Sequence, residues 1–340
     1  MKRVGFLMEK IVHPENLREA FLRAVRGKSN RLEVLRFRAD LDASLCDIRA
    51  HLLSGNYPFG KYRFFTIHDP KERLICAAPF ADRVAFHAMM RISHPIFDAY
   101  QIYDSYASRV GKGGYKALER AQYFAGHYEW FAKLDVRHYF DSIDHEIVMH
   151  QLESLFKDKL LLAHFRCLLD SYHTQQGKGL PIGNLTSQYF ANHYLSVADH
   201  YAKETLRVPA MVRYMDDVLL FAHDKEELFT WVKNWQNFLS STLLLELHPP
   251  VLNKTVRGIP FLGYVVYQDK LRLNQRSRTR YIRKIKQLVA WLKEGIIEEK
   301  EYRNRLEALT AFIEKADTRA YRRKVFSQEG MVSVEQALTA

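Results

Sequence analysis

Residues 211–221 read Met-Val-Arg-Tyr-Met-Asp-Asp-Val-Leu-Leu-Phe, and the fold prediction starts from the two adjacent acids in this segment. Apolar and β-prone residues on both sides predict two strands of a hairpin, with Asp216 and Asp217 at or beside the turn. Two acids packed together repel each other and lose hydration, so their cost must be offset. A bound divalent cation would offset it, whereas a solvated hairpin tip would avoid it.

A third carboxylate, Asp135, ends a second predicted strand in residues 130–140, Trp-Phe-Ala-Lys-Leu-Asp-Val-Arg-His-Tyr-Phe. Alternate strand residues share a face, so Lys133 and Asp135 point to one side of a half-buried strand and Leu134 to the other. Asp135 can then reach an acidic hairpin on a neighbouring strand. Three such carboxylates can hold two Mg²⁺ ions, typically about 3.5–4 Å apart, that clamp the reacting oxygens of a phosphoryl transfer. The Val136 carbonyl can add a further ligand.

After this strand the chain is predicted to turn into a helix with Asp144 as its N-cap, because apolar residues follow at helical spacing. Phe140 lies between the strand and the helix. It either joins the core there or lies beneath the sugar of an incoming nucleotide. In the second position its ring would exclude a 2′-hydroxyl and favour deoxynucleotides.

The order of these segments resembles the polymerase motifs of reverse transcriptases. Asp135 with Phe140 is followed by Gly-Leu-Pro-Ile-Gly-Asn-Leu-Thr-Ser-Gln at 179–188 and by Tyr-Met-Asp-Asp at 214–217. Residues 69–75 and 82–84 resemble the fingers motif, and residues 105–107 with 111–113 resemble the next segment. Residues 253–255 and 261–264 resemble the last two palm motifs. The resemblance runs from about residue 60 to about residue 270.

This resemblance implies a right-hand α+β polymerase fold, with fingers, a palm of antiparallel sheet and packed helices, and a short helical thumb. We expect N-terminal helices and fingers in residues 1–120, and the palm in residues 121–268 with fingers partly interleaved around 160–190. A basic helical thumb and C-terminal tail are expected in residues 269–340. The implied activity is RNA-directed DNA polymerisation from template RNA, a primer or cDNA, and dNTPs.

The resemblance also assigns roles to individual residues. Asp135, Asp216 and Asp217 would be catalytic and, with Val136, would bind Mg²⁺, for which Mn²⁺ can substitute. The implied nucleotide-binding residues are Lys71, Arg73, Phe140, Ile182, Gly183, Gln188 and Lys254. The implied primer grip is a tight hairpin of Phe261, Leu262, Gly263 and Tyr264, where glycine allows close backbone approach.

The basic members of this set have a specific role and a plain alternative. Arg73 can fork onto a triphosphate, and Lys71 precedes it in the same motif. Lys254 matches a family lysine proposed to protonate the leaving pyrophosphate. Each of the three could instead be a solvated surface residue.

The middle motif resembles one subclass in particular. Ile182 precedes Gly183, and Ser187 and Gln188 follow, as in the enzymes of diversity-generating retroelements of bacteria and phages. That subclass copies a template RNA with frequent errors opposite adenine, helped by a small basic accessory protein. Ile182 offers only apolar contact, and a pocket without directional polar contacts discriminates weakly between pairs of similar size. Its alternative role is loop packing.

Several related functions share most of the other motifs. Reverse transcriptases of retrons, defence systems and group II introns remain alternatives. Bulky Phe140 argues against an RNA-dependent RNA polymerase. The intact Asp135, Asp216 and Asp217 argue against a catalytically silent RNA-binding module.

Composition favours a nucleic-acid partner inside the cell. The net charge is +12, and residues 272–324 hold 16 Lys or Arg against 7 Asp or Glu. Such a basic segment predicts phosphate contacts and salt-dependent binding. Cys46, Cys76 and Cys167 lack metal or disulfide spacing and indicate reduced thiols. No signal peptide or spanning apolar run is apparent, so we expect a cytoplasmic protein that does not contact membranes.

Overall fold

The computed structural model describes residues 2–68 and 72–328. The strands are β1 (Arg63–Ile67), β2 (Arg73–Ala77), β3 (Trp130–Asp135), β4 (Ala210–Tyr214), β5 (Asp217–Ala222), β6 (Val251–Lys254), β7 (Ile259–Phe261), β8 (Tyr264–Val266) and β9 (Leu271–Leu273). The helices of the N-terminal half are α1 (Met8–Ile11), α2 (Pro14–Val25), α3 (Leu32–Ala39), α4 (Leu41–Ser54), α5 (Phe80–Tyr100), α6 (Gly114–Ala125), α7 (Tyr139–Ser142), α8 (His145–Leu155) and α9 (Lys159–Asp170). Those that follow are α10 (Leu185–Tyr194), α11 (Ser196–His200), α12 (Lys225–Thr242), α13 (Gln275–Lys293), α14 (Glu299–Glu314) and α15 (Arg319–Gln328).

The central sheet has the strand order β4-β5-β3-β6, and every neighbouring pair is antiparallel. The predicted hairpin around Asp216 and Asp217 is its β4–β5 pair. The predicted strand that ends at Asp135 is β3, which lies between β5 and β6. Two segments far apart in the sequence therefore lie side by side in one sheet.

Each face of this sheet belongs to a different hydrophobic core. Ala132 and Leu134 pack into the core formed with the N-terminal helices and with α8, α10 and α12. Phe131 packs into the second core, which includes α6, β7–β9 and the C-terminal helices. The expectation of a half-buried strand is therefore wrong for the start of β3, because Phe131 on its second face is only 1% exposed.

Helix starts next to the sheet follow local sequence signals. The Asp144 side chain accepts hydrogen bonds from the main-chain N–H of Glu146 and Ile147, as predicted for the N-cap of α8. Asp224 caps α12 in the same way by accepting from the N–H of Glu227. Helix α8 thus follows the strand end that bears Asp135, whereas α12 follows Ala222, which pairs with Trp130 at the opposite end of β3.

A separate two-stranded sheet, β1–β2, is joined to residues 171–183. The N–H of Cys76 on β2 donates to the Ile182 carbonyl at 2.8 Å. The Tyr62 and Ser171 hydroxyls are hydrogen-bonded at 2.8 Å. The β1–β2 hairpin is therefore joined to a segment more than 100 residues away.

The C-terminal helices pack on the three-stranded sheet β7-β8-β9. Helices α13 and α14 contribute Tyr281, Ile285 and Leu306 to the second core. The Tyr321 hydroxyl on α15 donates to the Arg278 carbonyl on α13 at 3.1 Å. Within residues 2–68 and 72–328, no helix combines the length and apolar character needed to cross a membrane.

Candidate active site

The hairpin between β4 and β5 turns through two residues, Met215 and Asp216, because Tyr214 pairs with Asp217. Met215 has a φ of +57°, whereas Asp216 does not lie in the left-handed region. A positive φ at the first loop residue alone is the pattern of a type II′ turn, which suits the twist of a hairpin. The adjacent acids therefore lie at the turn, as the sequence predicts.

Asp135 lies directly opposite Asp217 in the β3–β5 pair. Opposite residues of antiparallel strands have Cβ atoms about 4.5–5.5 Å apart and point to the same face. Asp216 directly precedes Asp217 in the turn. The structure thus brings Asp135, Asp216 and Asp217 to one end of the central sheet.

The Val136 carbonyl points toward this end of β5. The Asp135 carbonyl accepts from the N–H of His248 at 2.9 Å, and the N–H of Arg137 donates to the Glu246 carbonyl at 2.8 Å. Hydrogen-bonding direction alternates along a strand, so the main-chain groups of Val136 face the opposite side, where β5 begins. That orientation suits the expected role of this carbonyl as a metal ligand.

Asp217 is in an unfavourable environment for a lone carboxylate. Its Oδ2 atom lies 3.4 Å from Lys133 Nζ, and its buried Oδ1 atom has no hydrogen-bond partner among the described residues. Burial raises the pKa of the Asp217 carboxyl to about 7, against the opposing effect of Lys133, and the charges of Asp135 and Asp216 raise it further. This oxygen and the two neighbouring carboxylates are the kind of ligands that a hard divalent cation prefers.

In the described ranges, no three His, Cys, Asp or Glu side chains are positioned to hold a metal ion by themselves. Mg²⁺ is commonly bound by one or two carboxylates together with waters and substrate phosphates rather than by a complete protein cage. The three acids and the Val136 carbonyl therefore fit an ion whose remaining ligands come with the substrate.

A cavity of about 730 Å³ adjoins the carboxylates without including them. It is lined by residues of β2, of the segment after β3, and of the loop before α10. The lining includes Arg73, Leu74, Arg137, His138, Lys178 and Ile182. Since Arg137 and His138 follow Asp135 by two and three residues, the cavity opens next to the acidic end of the sheet.

Gly183 lies against β2 in a conformation that other residues rarely adopt. Its φ is +112°, and a Cβ at this position would lie 3.0 Å from Ile75 Cγ2. Gly183 and Gln188 are exposed, and Ile182 is partly exposed. Phe140 is half-buried against the first core. Ile182 and Gly183 thus lie in the loop before α10, Gln188 lies in α10, and the Phe140 carbonyl accepts from the N–H of Leu180 at 2.8 Å.

Of the predicted nucleotide-binding residues Lys71 and Arg73, only Arg73 is among the described residues. Arg73 is exposed at the start of β2 and lines the cavity. Lys71 lies outside the described residues.

The structure does not bring Lys254 to the carboxylates. Lys254 pairs with Trp130, at the start of β3, and Asp135 is at the other end of that strand. Five residues along a strand span about 17 Å. The Lys254 ammonium lies 5.5 Å from the centre of the Trp130 ring instead.

Residues 261–264 form the predicted tight hairpin, in which Phe261 pairs with Tyr264. The side chains of Phe261 and Tyr264 are each only 1% exposed, so they cannot reach a primer directly. Leu262 and Gly263 form the turn, and a Cβ on Gly263 would lie 3.0 Å from Ser277 Oγ. The close approach at this glycine is thus made by α13.

Two charged residues of the site were missed by sequence reasoning. Lys133 shares a strand face with Asp135, which was a usable signal, but its pairing with Asp217 depends on β5 lying alongside. Arg213 is a fully buried cation that contacts Asp199. No local pattern in the sequence predicts that contact.

The family model described as "Reverse transcriptase (RNA-dependent DNA polymerase)" matches residues 68–266, more than half of the 340-residue chain. The chain is 23% identical over 164 residues to the Putative COX1/OXI3 intron 1 protein of Saccharomyces cerevisiae, covering 46% of this chain and 20% of that protein. It is 33% identical over 84 residues to the Nuclear intron maturase 1, mitochondrial, of Arabidopsis thaliana, covering 24% of this chain and 12% of that protein. The chain thus spans a small part of these relatives.

Two solved structures are similar to this chain. The apo telomerase of Candida tropicalis, truncated from its C-terminal domain, has a TM-score of 0.48 and 12% identity over 63% of this chain and 55% of that one. The Candida albicans telomerase with a fragment of telomeric RNA has a TM-score of 0.44 and 14% identity over 66% of this chain and 49% of that one. The described helices and antiparallel sheets have the predicted right-hand α+β polymerase fold. By its match over residues 68–266, the chain belongs to the reverse transcriptase family.

Proposed function

We propose that this chain is an RNA-directed DNA polymerase that extends a primer 3′-hydroxyl on an RNA template with dNTPs. The supporting observation is that Asp135 lies opposite Asp217 in neighbouring strands, with Asp216 in the adjoining turn. In a catalytically silent module, the repulsion among three such close acids would bring no benefit. The bulk of Phe140 favours deoxynucleotides over ribonucleotides.

Asp135, Asp216 and the Val136 carbonyl would hold the two Mg²⁺ ions, and Mn²⁺ is expected to substitute. Bound there, the ions would activate the primer hydroxyl and neutralise charge on the leaving pyrophosphate. Asp217 is the weaker ligand, because neighbouring residues cannot project identically. Lys133 pairs with its Oδ2 atom and leaves Oδ1 without a partner in residues 2–68 and 72–328.

The incoming nucleotide would lie between the acids and the adjoining cavity. Exposed Arg73 would fork onto the triphosphate. Ile182 and Gly183 would pack against the nascent base pair, with Gln188 nearby and Phe140 beneath the sugar. Lys254 has no part in this proposal because of its distance from Asp135. Lys71 keeps its proposed role as a partner of the phosphates.

The rest of the chain would hold the nucleic acid. Residues 1–120 would form the N-terminal helices and fingers, residues 121–268 the palm, and residues 269–340 the thumb and tail. The basic side chains of residues 272–324 would contact phosphates of the template–primer duplex. Residues 261–264 would support the primer end through the main chain of the turn.

Primer extension tests this proposal directly. Purified protein is given a primed RNA template with dNTPs or rNTPs, and Asp216→Asn is compared with Asp269→Asn, an exposed acid outside the site. We expect the wild type and Asp269→Asn to make cDNA with dNTPs only, and Asp216→Asn to lose about 1000-fold in rate. Full synthesis by Asp216→Asn, or a preference for rNTPs, would contradict the proposal. RNA binding without synthesis by the wild type would indicate a silent module.

Within this function we propose the error-prone role of a diversity-generating retroelement, assisted by a small basic accessory protein. Its support is Ile182, an apolar residue at the cavity next to Gly183. We expect Ile182→Gln to lower misincorporation opposite template adenine, measured by sequencing cDNA from both proteins. Unchanged error spectra would remove this assignment. The intron protein and the intron maturase among the relatives favour a group II intron-like role as the alternative, and retron-like or defence roles remain open.

A further inference from the structure

Arg213, three residues before Asp216 on β4, has a completely buried side chain. A guanidinium without water must find protein partners for all of its N–H groups, since an unpaired buried charge is strongly destabilising. The partners that Arg213 finds belong to four separate segments of the chain. They include the turn that holds the acids.

The strongest contact is an ion pair with Asp199 on α11, which is also completely buried. Arg213 Nε lies 2.9 and 2.7 Å from the two carboxylate oxygens, and Nη2 lies 2.7 Å from Oδ2. Nη2 also donates to Gln101 Oε1 at 2.9 Å and to the Asn192 carbonyl at 3.2 Å. The guanidinium is therefore fixed by α11, α10 and the end of α5.

The remaining nitrogen, Nη1, links this network to the catalytic turn. It donates to Asn192 Oδ1 at 2.7 Å and to the Met215 carbonyl at 3.1 Å. The Met215 carbonyl and the Cα atom of Asp216 lie in the same peptide plane, so fixing one restricts the other. Met215 also has a positive φ, which is unusual for a residue with a Cβ and is retained only when its surroundings hold it.

The main chain of Arg213 is also held by hydrogen bonds. Its N–H donates to the Asp104 carbonyl, and its carbonyl accepts from the N–H of Tyr106, both at 2.9 Å. The strand that leads into the turn is thus fixed by the protein interior before the turn begins. The positions of both the side chain and the main chain of Arg213 are therefore fixed.

We infer that Arg213 is a positioning residue, whose guanidinium uses Asp199, Asn192 and Gln101 as fixed supports to orient the Met215–Asp216 peptide and thereby the Asp216 carboxylate. This inference rests on the proposed function for its consequence in catalysis. The requirement is for the fork of the guanidinium rather than for its charge. A lysine can pair with Asp199 as a point charge, but it cannot also reach the Met215 carbonyl.

The test compares Arg213→Lys with Arg91→Lys. Arg91 on α5 is a control outside this network, because it is partly buried and donates to Asn16 Oδ1 on α2 at 2.8 Å. Amide hydrogen exchange is measured for residues 214–218 and for α12, and Mn²⁺ binding is measured by electron paramagnetic resonance. We expect Arg213→Lys to speed exchange at the turn and to weaken Mn²⁺ binding by about tenfold each, with α12 unchanged. Arg91→Lys should leave both readouts near the wild type.

Equal changes in both variants, or wild-type values for Arg213→Lys, would overturn the inference. Should Arg213→Lys not fold, Gln101→Met removes one support and should change both readouts in the same direction by up to about fivefold; no change would equally overturn it. A wild type that binds no Mn²⁺ and makes no cDNA would refute the proposed function. The exchange comparison would still decide the role of Arg213.

Discussion

Two hairpins in this protein have loops of the same length and opposite surroundings. The β4–β5 hairpin turns through Met215 and Asp216, and the β7–β8 hairpin turns through Leu262 and Gly263. In the first only Met215 has a positive φ, whereas in the second both loop residues do, at +47° and +89°. These are the patterns of type II′ and type I′ turns, the two that fit the twist of a hairpin.

The difference lies in where each turn is held. The first is held from the protein interior, by the buried Arg213 of its own strand, which donates to the Met215 carbonyl, and its two acids remain partly exposed. The second is held at its tip, where the Gly263 carbonyl accepts from Ser277 Oγ at 2.7 Å. A turn that must present charges to a ligand needs an open tip, while a turn that joins two parts of the chain does not.

The largest effect is expected from removing a charge at the β4–β5 turn, which we call the open turn. Asp217 is mostly buried, and its carboxylate is repelled by Asp135 and Asp216. In metal-free buffer we expect Asp217→Asn to raise the free energy of unfolding by about 1 kcal/mol, because burying a neutral amide costs less than burying a charge. In primer extension we expect a loss of about 100-fold in rate.

The exposed Asp269→Asn is the control and should leave both the stability and the rate unchanged. Gain in stability together with loss of activity would identify Asp217 as an acid kept for function at the expense of the fold. Wild-type activity, or a less stable protein, would contradict that interpretation.

At the β7–β8 turn, which we call the closed turn, a substitution should instead lower the stability of the protein. We expect Gly263→Ala to lower the free energy of unfolding by about 2–3 kcal/mol. The alanine would have a strained φ, and its Cβ would lie only 3.0 Å from Ser277 Oγ and 3.1 Å from Phe312 Cζ. Denaturant unfolding measures this. Gly27→Ala separates the two causes and should cost only about 1 kcal/mol. Gly27 has a φ of +69°, but a Cβ there would have no heavy atom of the described residues within 4 Å beyond its chain neighbours. Equal costs would show that the tip is not closely packed.

Sequence reasoning predicted the β4–β5 hairpin from a local signal, the paired apolar runs around Asp216. It predicted the β7–β8 hairpin from the resemblance of residues 261–264 to a family motif. The N-cap Asp144 also follows from neighbouring residues. Bringing Asp135 to Asp216 required the resemblance to a family, because 81 residues separate them in the chain.

What sequence reasoning missed depends on contacts between distant segments. The second core on β3 requires α6 and the C-terminal helices to cover Phe131. The position of Lys254 is set by its register with Trp130, and a strand register cannot be read from one strand alone. Arg213 is an ordinary charged residue in the sequence, and only Asp199 and Asn192 on two other helices make its burial possible.

The smallest predicted effect tests how the tip of the closed turn is held. Ser277→Ala removes the hydroxyl that donates to the Gly263 carbonyl, but the N–H of Asn274 still donates to that carbonyl at 3.2 Å. We therefore expect a loss of about 0.5–1 kcal/mol in the free energy of unfolding. The same atom crowds the position of a Cβ on residue 263, so Gly263→Ala should cost less when Ser277 is already Ala. Additive losses in this double-mutant cycle would mean that the hydroxyl and the glycine act independently, and would contradict the crowding of Ser277 Oγ against residue 263.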